Sequence, residues 1–143
     1  MPHGQRRLLL AVLALVSVLA CETLTGPDVN PADVQIDIDA GFANYREPPI
    51  VVTGDTGAIV VEGTFTVGHT NHVLQPALQR LGRGRYQLIL EARDAGLGLT
   101  IVTRYRYRAL LHPWPAGAYH LQIVLRLPDS SQHEVFDDQV LVH

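Results

Sequence analysis

From Val34 to its C-terminus the chain alternates apolar and polar residues with a period of two. Val34, Ile36 and Ile38 are interleaved with Gln35, Asp37 and Asp39. Ile59, Val61, Gly63, Phe65 and Val67 share one parity, and Glu62, Thr64 and Thr66 the other. Tyr86, Leu88, Leu90 and Ala92 alternate with Arg85, Gln87, Glu91 and Arg93. Ile101, Thr103, Tyr105, Tyr107 and Ala109 alternate with Val102, Arg104, Arg106 and Arg108, and Tyr119, Leu121, Ile123, Leu125 and Leu127 form the cleanest apolar stripe. Successive side chains of a strand point to opposite sides, so this pattern predicts half-buried strands. No part of it carries a 3.6-residue period. The ambiguous stretch Leu74 to Leu81 contains Pro76 and runs into Gly82-Arg83-Gly84, which argues against helix. Proline cannot donate to a ladder, so this strand belongs on a sheet edge or at a bulge.

Turn signals punctuate the pattern at Gly54-Asp55-Thr56-Gly57, Gly82-Arg83-Gly84, Asp94-Ala95-Gly96, Pro113-Trp114-Pro115-Ala116-Gly117 and Pro128-Asp129-Ser130-Ser131. With a further short run at Ile50 to Thr53 and a last strand near Val135 to Val142, seven or eight strands are predicted. Phe136, Val140 and Val142 are its core positions, with a bulge at Asp137-Asp138. Short antiparallel strands at this spacing predict an immunoglobulin-like β-sandwich, with a small β-barrel as the alternative. The likeness is architectural, because the Cys-Trp-Cys signature of antibody domains is missing. The 143 residues hold one domain of ordinary size, at 34–143.

The N-terminus carries a different signal. Arg6 and Arg7 precede an apolar run of 13 residues, Leu8 to Ala20, interrupted only by Ser17. A membrane-spanning helix needs roughly 20 apolar residues, so the run is too short to span and suits a signal peptide over 1–20. It ends in Val18-Leu19-Ala20-Cys21, which resembles the lipobox of bacterial lipoproteins. The resemblance covers these first 21 residues and implies cleavage before Cys21, acylation of its thiol and attachment to a membrane. One acyl chain is a marginal anchor, and the family normally carries three. Glu22 stands where lipoproteins held in an inner membrane commonly carry aspartate, so the resemblance implies outer-membrane delivery. Cys21 is the sole cysteine, so the mature domain holds itself together without disulfides. Residues 21–33, with Gly26, Pro27 and Pro31, read as the lipidated cysteine and an extended tether. Pro115-Ala116-Gly117-Ala118-Tyr119-His120-Leu121-Gln122-Ile123 is similar to a turn-and-strand pattern of bacterial surface sandwich modules, and bears on fold alone.

Chemistry is sparse. The net charge is −3, and without Arg6 and Arg7 it falls to −5, which excludes a nucleic-acid binder that relies on a positive field. The serines are Ser17, Ser130 and Ser131, no Gly-x-Ser-x-Gly is present, and no glycine-rich phosphate loop occurs, so the chain is read as no enzyme. His69 and His72 are three apart, on opposite faces if they lie on a strand. Joint chelation would require a turn, for which Gly68 and Asn71 provide. Zinc needs three or four ligands, His112, His120 and His133 are scattered, and no carboxylate stands at a recognisable spacing. The pair is therefore only a weak metal candidate, and neither metal nor cofactor is expected. Asp37-Ile38-Asp39-Ala40-Gly41 begins like a calcium loop but lacks its later ligands.

Two features suit a binding face. Arg104, Arg106 and Arg108 lie on one side of a strand, about 6.8 Å apart at each step, with Arg93 and Arg126 as candidate neighbours. They suit an anionic partner, or pair across the sheet with Glu62, Glu91 or Glu134. Trp114, between two prolines, is either an exposed anchor or a lid on one end of the core. The reading is an outer-membrane lipoprotein with a non-catalytic binding or structural sandwich, whose partners are the membrane through Cys21 and an envelope protein or glycan. The alternatives are an accessory subunit of an envelope-assembly or secretion complex, and a small metal-dependent hydrolase at His69 and His72.

Overall fold

The computed structural model describes residues 24, 26, 27, 34–40 and 50–143. The signal segment 1–20, Cys21 and most of the tether lie outside the described residues. Eight strands follow one another: β1 (Val34–Ala40), β2 (Ile50–Asp55), β3 (Ala58–Val67), β4 (His72–Gly82), β5 (Arg85–Asp94), β6 (Thr103–Leu111), β7 (Gly117–Arg126) and β8 (Gln132–Val142). They form two four-stranded sheets, ordered β1-β6-β3-β2 and β4-β5-β7-β8. The protein is an all-β sandwich and not a closed barrel.

The period-two stripes become the inner faces. Ile59, Val61 and Phe65 from β3 and Tyr105, Tyr107, Ala109 and Leu111 from β6 meet Tyr86, Leu88 and Leu90 from β5 and Tyr119, Leu121 and Ile123 from β7, all buried. Each large side chain so buried contributes about 1.5–3 kcal/mol. Gly63 sits on the inner face because the Tyr107 ring occupies the space a β-carbon would need. Phe65 and Tyr105 stack across the β3–β6 pair, with centroids 5.1 Å apart.

Several details differ from the sequence expectation. β5 and β7 pair in parallel, because β6 crosses to the other sheet between them and β7 returns in the direction of β5. Ile101 and Val102 are exposed in a loop, and β6 begins at Thr103. The β8 bulge lies at Val135, which the register skips between Phe136 and Glu134, and not at Asp137-Asp138. Pro76 does lie on an edge strand, β4, with a register shift near Arg80. Arg83-Gly84 makes a two-residue hairpin, with Gly84 at φ 63°.

The sheets also meet along one border. Gly54 of β2 lies against the Leu141 carbonyl of β8, and His143 N donates to the Asp55 carbonyl at 3.2 Å. The predicted tether is not free throughout. Gly26 N donates to the Ala118 carbonyl at 3.1 Å, and the residue is pressed against the Tyr119 ring.

Candidate functional site

The two ends of the sandwich differ. One carries Gly26, the β2–β3 and β4–β5 turns and the loop 112–116. The other carries the β3–β4, β5–β6 and β7–β8 loops. A ten-residue strand such as β3 separates them by about 30 Å.

At the Gly26 end, Trp114 is 2% exposed, so it is not an exposed anchor. A cis His112-Pro113 bond precedes it, and its backbone N donates to the Gly57 carbonyl at 2.8 Å. The indole meets the edges of Tyr86 and Tyr119 at centroid distances of 5.0 and 5.6 Å and closes the core. The Tyr119 hydroxyl donates to the Pro115 carbonyl at 2.8 Å, and burial raises the Tyr119 pKa above its ordinary value.

The arginine stripe is placed on the outer face of β6 as the alternation requires. It is flanked by acids on both neighbouring strands. Arg108 stands between Asp37 and Glu62 in register and meets Glu62 at 3.4 Å, while Arg106 stands opposite Asp39 and Thr64. The expectation that Arg93 and Arg126 extend this row is corrected: they belong to β5 and β7, in the other sheet. Arg93 instead clasps Glu91 on its own strand, at 2.8 and 3.1 Å, and holds that carboxyl below its ordinary pKa. Three arginines set against Asp37, Asp39 and Glu62 leave this face close to neutral, over an open concavity of about 470 Å³.

The far end brings His69 and His72 together. The β3–β4 connection is a turn, with Asn71 at φ 70°, so the strand objection to joint action falls away. Their rings stack with centroids 4.4 Å apart and planes 17° from parallel. Antiparallel pairing of β4 with β5 sets His72 opposite Asp94, and His69 Nε2 lies 3.5 Å from Asp94 Oδ2. Asp94 is the carboxylate that spacing in the sequence did not disclose. It stands 22 residues along the chain from His72 and is delivered only by the hairpin register.

His72 is 5% exposed, and neither ring nitrogen has a hydrogen-bond partner of acceptable geometry. Its backbone N meets the Tyr105 hydroxyl at 3.3 Å. Burial lowers the His72 pKa, and the adjacent His69 lowers it further. The Asp94 carboxylate and the His69 backbone oppose this more weakly. Burial thus favours the neutral ring, which carries a lone pair on one nitrogen.

Two loops brace this corner. Thr70 N donates to the Leu99 carbonyl at 2.9 Å, and Leu99 N donates to Thr70 Oγ1 at 2.8 Å. Ala95 N donates to the Asn71 carbonyl at 2.9 Å, and Asn71 Nδ2 donates to the Leu97 carbonyl at 3.2 Å. Gly98 admits the close approach, since a β-carbon there would strike the Thr70 carbonyl. The braced loop presents Leu97, Leu99, Ile101 and Val102 to solvent. Beside it lies an open concavity of about 740 Å³ reached by His69, Asp94, Arg93 and Arg126. Comparison with protein-family models, with curated proteins and with solved structures finds no match for this chain.

Proposed function

We propose that the protein is an outer-membrane lipoprotein, anchored through Cys21, whose sandwich is a non-catalytic module that binds another envelope protein. The observation that carries this reading is the opposition of the two ends. The chain enters the domain at Gly26, whereas the exposed apolar side chains Leu97, Leu99, Ile101 and Val102 crown the other end. An anchor at Cys21 therefore turns the apolar crown away from its own membrane. Four aliphatic side chains on a hydrogen-bonded loop suit a protein surface. A glycan platform would be aromatic, and the single tryptophan is buried. The acid-flanked arginine face offers little excess charge to an anionic partner.

Two measurements test the reading. Mass spectrometry of the mature protein is expected to find an acylated Cys21 at its N-terminus. An unmodified thiol there overturns the anchor. Photo-crosslinkers placed at Leu97 and Ile101 in living cells are expected to give one discrete protein adduct, lost on Leu99→Ser, with none from a crosslinker at Arg106. Equal adducts from both surfaces, or none from the loop, overturn the assignment of the crown.

A further inference from the structure

We propose that His69, His72 and Asp94 form a binding site for a divalent transition-metal ion such as zinc, with one ring nitrogen from each histidine and one Asp94 carboxylate oxygen as ligands.

One donor atom from each of the three residues lies within 4.8 Å of the others. Two ligands on a tetrahedral zinc at about 2.0–2.1 Å stand roughly 3.3 Å apart. His69 Nε2 and Asp94 Oδ2, at 3.5 Å, already have that spacing. A modest hinge of the stacked His72 ring would bring in the third donor.

The buried ring is the decisive observation. The contact with Asp94 Oδ2 accounts for His69 Nε2, but His69 Nδ1 and both nitrogens of His72 are buried without a hydrogen bond of acceptable geometry. Buried polar atoms are almost always satisfied, and one left alone carries an uncompensated desolvation cost. An alternative use of His72 as an ordinary core residue would leave that cost unmet. A metal ion would satisfy one nitrogen directly.

The donor set selects the class of ion. Imidazole with carboxylate suits zinc, copper or nickel, whereas calcium and magnesium prefer all-oxygen shells. The surroundings are also preset, because the four hydrogen bonds between the β3–β4 and β5–β6 loops hold His69 over His72 without help from an ion. Asp94 is half-exposed and opens onto the neighbouring concavity. Three protein ligands then leave a fourth position for water or an external donor, an open shell and not a closed structural one. This proposal does not depend on the lipid anchor or on the apolar crown.

Isothermal titration of zinc into the full-length protein, purified in detergent and stripped with a chelator, tests it. One zinc per chain is expected. His69→Gln alters a partly exposed side chain and Asp94→Asn an exposed one, so both should leave the circular dichroism spectrum unchanged, yet each should weaken zinc binding at least tenfold. His133→Gln, a control at an exposed histidine elsewhere, should bind as the unaltered protein does. Cobalt in place of zinc should give the visible absorption of a four- or five-coordinate ion, lost in Asp94→Asn. Absence of stoichiometric zinc binding at micromolar concentration overturns the site. So does binding that His69→Gln and Asp94→Asn leave intact, or that His133→Gln weakens equally.

Discussion

Tyr107 shows how far a single side chain can be committed to the interior. It is buried among Phe65, Gly63 and the facing sheet, and burial pushes its phenol pKa up to about 12 from the ordinary 10. The neutral phenol is favoured in the fold and ionises more easily once unfolded. The resulting stability is complete below pH 10 and is lost as pH rises through the folded value of about 12. We expect denaturation midpoints to fall across that alkaline window. Tyr107→Phe should flatten the fall, with spectrophotometric titration showing one late-ionising tyrosine fewer. The neighbouring glycine is part of the same arrangement, since a β-carbon at Gly63 would occupy the Tyr107 ring's position. The parity of the sequence placed both residues inward, but only three-dimensional contact explains why one of them has no side chain.

At the scale of strands, alternation located most of the elements and their inner faces, while β2 was read from the β-branched run Ile50 to Thr53 and β4 from the ambiguous stretch before Gly82. Pro76 correctly indicated an edge, because a missing donor is a local property. Long-range register was not legible in the same way. The parallel β5–β7 pair, the transfer of Arg93 and Arg126 to the opposite sheet, and the approach of Asp94 to His72 all depend on which strand lies beside which. The arginine stripe illustrates the limit. Its side of β6 followed from sequence, while its neutralisation by Asp37, Asp39 and Glu62 followed from β1 and β3 flanking it. Exposed ion pairs contribute little, typically below about 1 kcal/mol. Arg108→Ser is therefore expected to shift the urea midpoint only slightly and to leave the crosslinks from Leu97 unchanged. A large loss of stability would mean that the Glu62 pair carries more than its half-exposed geometry allows. The borders of the β4-β5-β7-β8 sheet tell against recruitment by strand addition there: β4 carries Pro76, and β8 carries a bulge at Val135 and Asp138 at a core-facing register position.

For the molecule as a whole, the relevant distance is the one between the proposed lipid and the first fixed point. Gly26 is tied to Ala118 and leaves no space for a side chain beside Tyr119. Gly26→Leu should free this segment without disturbing the core strands. Limited proteolysis read by mass spectrometry is expected to cut within residues 22–33 faster in the variant, with the thermal midpoint little changed. Unaltered cleavage would show that the Gly26 contact does not hold the segment in solution.

Only four residues separate Cys21 from Gly26, a reach of at most about 18 Å even when drawn straight. If Cys21 is acylated as proposed, a body moored so closely would not roam the space above its bilayer. Its distal rim would stay within a fixed radius of the attachment point. Whatever meets that rim would have to come within that radius, so position alone would screen its encounters before any side chain takes part.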